Sequence, residues 1–127
     1  MAKEVIKTEE APAPIGPYSQ AIKANGMLYI SGQIAIDAGS GELINDNITE
    51  ETHQVMKNLE AILRAAGSSF DKVVKCSIFI KNMGDFATIN EAYGQYFRQQ
   101  PPARETVEVS GLPKNVNVEI SCIALAD

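Results

Sequence analysis

Tryptophan is absent from the 127 residues, histidine occurs once and cysteine only twice. Two cysteines are too few for a disulfide framework. Cys76 lies in Val73-Val74-Lys75-Cys76-Ser77-Ile78 and Cys122 in Val118-Glu119-Ile120-Ser121-Cys122-Ile123, each in phase with aliphatic neighbours. Both read as small buried hydrophobes. With His53 alone and no His or Cys at ligand spacing, a zinc site has no support and no metal is expected. No apolar run exceeds the five residues from Cys122 to Ala126, against the ~20 that a membrane helix needs. The first residues, Met1-Ala2-Lys3-Glu4-Val5-Ile6-Lys7, lack the apolar stretch of an export signal, so a cytoplasmic location is expected. Basic residues are short as well. Eleven Lys and Arg against sixteen Asp and Glu leave a net charge of −5, which argues against a nucleic-acid surface. Glycines fall singly or in turns and never as a GxGxxG fingerprint, and neither a nucleophilic triad nor a phosphate loop is present.

What remains is a chain of the size of one domain, residues 1–127, with one core. From about Asn47 to Ala66 the apolar residues Val55, Met56, Leu59, Ile62, Leu63 and Ala66 stack on one side of a 3.6-residue helix. Asn47 or Thr49 serves as its cap, Glu50 and Glu51 suit its positive end, and Gly67 is placed to stop it. His53 falls off the apolar stripe and reads as a solvated imidazole. A second helix is expected from about Asp85 to Gln100, with Phe86, Ile89, Tyr93 and Phe97 as its stripe, Asp85 as its cap and Pro101-Pro102 as its end. Strand alternation marks Val73 to Ile80, Thr106 to Val109 and Val116 to Leu125, with β-rich residues at Met27 to Ser31. Asn25-Gly26 is a two-residue hairpin signal after Ala21-Ile22-Lys23. The order is three strands, a long helix, a strand, a helix and two strands: an α+β fold with one mixed sheet and two helices on one face.

The other sheet face carries more apolar surface than water would select. In the last strand Val116, Val118, Ile120, Cys122 and Ala124 take one side, while Asn117, Glu119, Ser121, Ile123 and Leu125 take the other. Two helices cover only one face, so a homo-oligomer burying the second is expected. The candidate chemistry lies in polar residues at unusual places: Gly16-Pro17-Tyr18-Ser19-Gln20, Ser31-Gly32-Gln33, Asn90, Arg104 and Glu119. Arg104 follows Pro101-Pro102-Ala103, where its planar fork suits a carboxylate, although an ion pair with a nearby Glu is the plainer reading. Glu119 sits among Val and Ile, where it either donates protons or pairs with Lys.

Gly16-Pro17-Tyr18-Ser19-Gln20-Ala21, Ile30-Ser31-Gly32-Gln33, Val74-Lys75-Cys76-Ser77-Ile78-Phe79, Phe86-Ala87-Thr88-Ile89-Asn90, Pro102-Ala103-Arg104 and Leu112-Pro113-Lys114 with Val118-Glu119-Ile120 closely resemble the RidA family, also called YjgF/YER057c/UK114. The resemblance spans nearly the whole chain, and its most specific part is Pro-Ala-Arg followed fifteen residues on by the Glu of a hydrophobic-Glu-Ile strand. It implies a chorismate-mutase-like fold and a homotrimer with active sites in the clefts between subunits. It also implies a 2-iminobutanoate/2-iminopropanoate deaminase that hydrolyses enamine and imine acids, released by pyridoxal-phosphate dehydratases, to 2-keto acids and ammonia. No cofactor is implied. By the same resemblance Arg104 binds the substrate carboxylate and Glu119 orients water and passes a proton. Tyr18, Ser31, Gly32 and Asn90 surround the pocket, and Thr106 contributes main-chain groups. Two departures stand out. Glu105 occupies a place that the family usually keeps small or apolar, and Thr106 stands where many members have Cys. Alternation puts Glu105 on the face opposite Arg104 and Thr106. A protein that binds small 2-keto or amino acids without catalysis, or a holdase-like chaperone, is the alternative reading.

Overall fold

The computed structural model describes residues 2–126, so residues 1 and 127 of the expected domain lie outside it. Six strands, β1 (Glu4–Ile6), β2 (Ala21–Ala24), β3 (Met27–Gln33), β4 (Val73–Ile80), β5 (Ala103–Glu108) and β6 (Val118–Leu125), form one sheet in the order β1-β2-β3-β6-β4-β5. Only the β4–β5 pair is parallel; α2 (Phe86–Gly94) makes the crossover that such a pair requires. The Asn25-Gly26 hairpin is present, with both residues at positive φ, 53° and 76°. Among the described residues the α-helices are α1 (Ile48–Ala65) and α2, and no helix is long and apolar enough to cross a membrane.

α1 forms where the periodicity placed it. Asn47 caps it by accepting the Glu50 N–H at 2.9 Å, not Thr49. At the other end Gly67 adopts φ 77°, which lets the Ser68 N–H reach the Leu63 carbonyl at 2.8 Å. The apolar side of α1 packs with α2 on the face of the sheet made by Val118, Ile120, Cys122 and Ala124, so Val55, Met56, Leu59, Ile62 and Leu63 are all buried in the core. Cys76 and Cys122 lie in that core as free thiols, directly paired across β4 and β6.

Three expectations need correction. α2 stops at Gly94 instead of reaching Gln100, and Asp85 precedes it without making a cap bond. Glycine is a poor helix former, and successive short turns, Tyr96 N–H to Tyr93 O and Phe97 N–H to Gly94 O, bend the chain back. The bend returns Phe97 to the core, 5.3 Å from the Phe70 ring and 4.9 Å from Tyr93. It also delivers Tyr96 to α1, where its hydroxyl lies 2.8 Å from Nδ1 of His53. His53 is therefore half-buried and bonded, not a solvated imidazole.

The uncovered face carries the apolar rows expected of it. Val5, Ile22, Tyr29 and Ile123 align across β1, β2, β3 and β6, and Val107 and Phe79 align across β5 and β4 beside Glu119 of β6. Val5 is 56% exposed, Tyr29 47% and Val107 40%.

Candidate functional site

Glu119 owes its setting to a bulge in the neighbouring strand. Ile30 pairs with Cys122 and Gln33 with Ile120, so Ser31 and Gly32 together oppose the single Ser121. The extra residue turns Gly32 toward Glu119. A methyl group on Gly32 would lie 2.8 Å from the Glu119 Cδ, so the carboxyl occupies the space that the missing side chain leaves. Ser31 is fixed by its hydroxyl, which donates to the Ser19 carbonyl at 2.6 Å.

A cavity of about 290 Å³ opens in front of this pair, lined by Tyr18, Ser31, Gly32 and Glu119 and by the apolar Ile15, Ile34, Ile36 and Pro113. Its outer wall is the segment before β2. Gln20, buried, holds that wall by donating to the carbonyls of Thr8, Ala11 and Pro12 and accepting the Thr8 N–H at 2.8 Å. The Tyr18 hydroxyl accepts the Ile15 N–H at 3.2 Å, which sets the ring at the rim.

Among the described residues the half-buried Glu119 carboxyl has no hydrogen-bond or ion-pair partner. Burial pushes its pKa above the ordinary 4.5, because low-dielectric surroundings penalise the charged form. Such a group holds or releases a proton nearer neutrality than a surface carboxylate does. Gly32→Ala should force the carboxyl outward while leaving an ordinary backbone intact. Its titration, followed by carboxyl NMR, is then expected to fall back toward 4.5; an unchanged titration would show that the side chain does not depend on the gap.

Arg104, Asn90 and Thr106 stand elsewhere. Arg104 pairs in register with Cys76, whereas Glu119 pairs with Phe79, three residues further along β4, so the two side chains leave opposite faces. Arg104 lies at the outer sheet edge, its Nη1 donating to Asn90 Oδ1 and its guanidinium 5.3 Å from the Tyr93 ring and 5.7 Å from Phe86. Ring faces of this kind hold and orient a guanidinium. With Asn90, Tyr93 and Pro102 it borders a groove separate from the Glu119 cavity. The Thr106 hydroxyl is buried without a partner on this side. One chain thus assembles Tyr18, Ser31, Gly32 and Glu119 in one group, and Arg104 and Asn90 in another.

Glu105 does not neutralise Arg104. On the opposite face it pairs with Lys75 Nζ at 2.9 Å and accepts the Ser77 hydroxyl, and these bonds, Ser77 first, hold its carboxyl below the usual range. Beneath Arg104, the Cys76 thiol is held below its ordinary 9.0, chiefly by hydrogen bonding with Cys122 and then by Tyr93 and the guanidinium, against the effect of burial.

Three polar residues of α1 are buried, Glu51, Thr52 and Asn58, and two of them, Glu51 and Asn58, share the helix's apolar side. Their signal was spacing, since Glu51, Val55, Asn58 and Ile62 fall on one helix face.

Residues 8–126 match the sequence model of a family described as endoribonuclease L-PSP. A RutC family protein of Pyrococcus horikoshii is 55% identical over 122 residues, covering 96% of this chain and 97% of that protein. The 2-iminobutanoate/2-iminopropanoate deaminase of mouse is 46% identical over 123 residues, covering 97% of this chain and 91% of its own. The crystal structure of E. coli TdcF with bound serine superposes with a TM-score of 0.93 at 38% identity, covering 98% of each chain. Family members therefore include a named imine deaminase and a protein that holds a small amino acid. With motifs, fold and relatives in agreement over nearly its full length, the chain belongs to the RidA/RutC family.

Proposed function

We propose that this chain is a 2-iminobutanoate/2-iminopropanoate deaminase. It hydrolyses reactive enamine and imine acids, released by pyridoxal-phosphate dehydratases, to 2-keto acids and ammonia in the cytoplasm. The observation that carries this reading is the unpaired, half-buried Glu119 carboxyl, of raised pKa, facing a cavity with apolar walls. The mouse deaminase and the serine-bound E. coli protein support it.

An imino acid carries a carboxylate that needs a cation and a C=N carbon that needs water. The Glu119 cavity is lined by no cation, while Arg104 stands unpaired by any acid among the described residues. A homotrimer reconciles the two. Packing of the apolar sheet faces brings the Arg104 groove of one subunit to the Glu119 cavity of the next, so that the fork of Arg104 binds the carboxylate beside Tyr18, Ser31, Asn90 and the main chain of Thr106. Glu119 takes a proton from the attacking water and returns it to the imine nitrogen, giving a carbinolamine. The carbinolamine hydroxyl proton then passes to the amine, the C–N bond breaks as C=O forms, and ammonia leaves. The sequence of steps needs neither metal nor organic cofactor, and a chain of charge −5 suits no nucleic-acid partner.

The test is an imine generated from 2-aminobutyrate or alanine by an amino-acid oxidase, with semicarbazide as competing trap. Added protein should raise keto-acid release and lower semicarbazone yield, and light scattering should give three times the chain's 13.7 kDa. An unchanged semicarbazone yield with a folded trimer overturns the deaminase reading; a monomer overturns the shared site.

A further inference from the structure

Three polar side chains of α1 are fully enclosed: Glu51, Thr52 and Asn58. Thr52 bonds its own helix, its hydroxyl donating to the Ile48 carbonyl at 2.8 Å. The other two reach away from the helix, to the two segments whose side chains wall the Glu119 cavity. Asn58 Nδ2 donates to the carbonyls of Ile34 and Ile36, each at 3.0 Å. Glu51 takes the opposite wall. Its Oε2 accepts the Asn117 N–H and its Oε1 accepts Asn117 Nδ2, both at 2.8 Å.

Asn117 lies between Pro113, on the cavity wall, and Glu119. The chain reaching it passes through two consecutive non-glycine residues at positive φ, Lys114 at 54° and Asn115 at 57°. Such residues persist only where the surroundings over-determine them. Lys81 fixes part of this turn, its ammonium bonding the Asn115 side chain and its N–H donating to the Asn117 carbonyl at 3.0 Å. β6 begins at Val118, so the last side-chain anchor before the strand that carries Glu119 is the Glu51 carboxyl. A carboxylate accepting two N–H donors from one residue fixes both its position and its orientation.

We propose that Glu51 is a positioning residue for the reaction: through Asn117 it sets where the Glu119 carboxyl stands in the cavity. The inference rests on the role assigned to Glu119 above. Asn58 supplies an internal comparison, since it holds the apolar wall and not the carboxyl. Displacing a reacting group by about 1 Å costs up to about a hundredfold in rate.

Steady-state kinetics with the 2-aminobutyrate-derived imine, run well below each variant's melting temperature, should separate the walls. Glu51→Ala is expected to lower kcat by about tenfold or more with KM within about twofold, whereas Asn58→Ala raises KM several-fold and spares kcat. Glu51→Gln should restore kcat to within about twofold, because the Asn117 amide can turn to offer Oδ1 to the new Nε2 while the Gln oxygen keeps the backbone N–H. Asn117→Ala, which keeps the backbone bond and loses the side-chain one, should give an intermediate kcat and carries the test where Glu51→Ala fails to fold. A folded Glu51→Ala or Asn117→Ala variant with unchanged kcat overturns the inference, and so does a Glu51→Gln variant as impaired as Glu51→Ala. Carboxyl NMR of Glu119 reads its position with no substrate present: its titration should move toward the ordinary range in Glu51→Ala and stay put in Glu51→Gln. Inactive wild-type protein would sink the deaminase reading alone, and this titration would still decide the role of Glu51.

Discussion

Arg104→Ala is expected to reduce kcat/KM for imine hydrolysis by about a hundredfold while leaving the fold intact. Charge-assisted hydrogen bonds are worth about 1.5–3 kcal/mol, and every 1.4 kcal/mol is a factor of ten, so losing a bidentate carboxylate clamp reaches that size. Stability should hardly change. Arg104 and its partner Asn90 are both exposed on the monomer, and the guanidinium makes no ion pair among the described residues. Surface substitutions of this kind usually fall within about 0.5 kcal/mol. Arg104→Lys should recover little, since an ammonium keeps the charge and loses both the fork and the fit to the Tyr93 and Phe86 rings. The semicarbazide competition assay reads all three proteins. Wild-type kcat/KM in a folded Arg104→Ala trimer would remove Arg104 from the site and, with it, the need for a neighbouring subunit to complete the cavity.

The parts of this arrangement that follow from period alone were legible in the sequence, and the parts that need register were not. Alternation along Val118 to Leu125 is enough to separate the buried Ile120 and Cys122 from Glu119 and Ile123, and the stripe of α1 is enough to bury Leu59 and Ile62. Alternation also puts Glu105 and Arg104 on opposite faces. What satisfies Glu105 was hidden, because Lys75 and Ser77 become its neighbours only through the parallel pairing of β4 with β5. The separation of Arg104 from Glu119 was hidden for the same reason: it depends on Cys76 and Phe79 being their respective partners on β4. The end of α2 does not follow from period, because an apolar stripe through Phe97 fits a longer helix equally well. Phe97 reaches the same core from a turn, and that turn carries Tyr96 to His53. The place of Glu51 in the first turn of α1 suits the helix dipole, but its spacing to Val55 and Ile62 is the better guide to its burial.

Glu119→Gln should abolish most turnover and at the same time stabilise the protein near neutral pH. The loss follows from removing the group that moves the proton, for which general acid–base catalysis supplies about a hundredfold to ten-thousandfold. Shape and burial are retained, so binding of a 2-keto acid should survive and the defect should appear in kcat. The gain follows from linkage. The folded Glu119 has a pKa above its ordinary 4.5 because burial disfavours the anion. Between 4.5 and the raised folded value the native state binds more protons than the unfolded chain, so wild-type stability falls as pH rises through that window and stays lower above it. Glutamine carries no charge to desolvate. The variant should therefore melt higher than wild type at pH 7, and the difference should shrink as pH drops through the folded value and vanish below 4.5. Thermal melts across that range check the sign. A variant that melts lower than wild type at pH 7, with the gap widening as pH rises, would mean that the anion is stabilised in its cavity, and the proton transfer assigned to it would lose its basis.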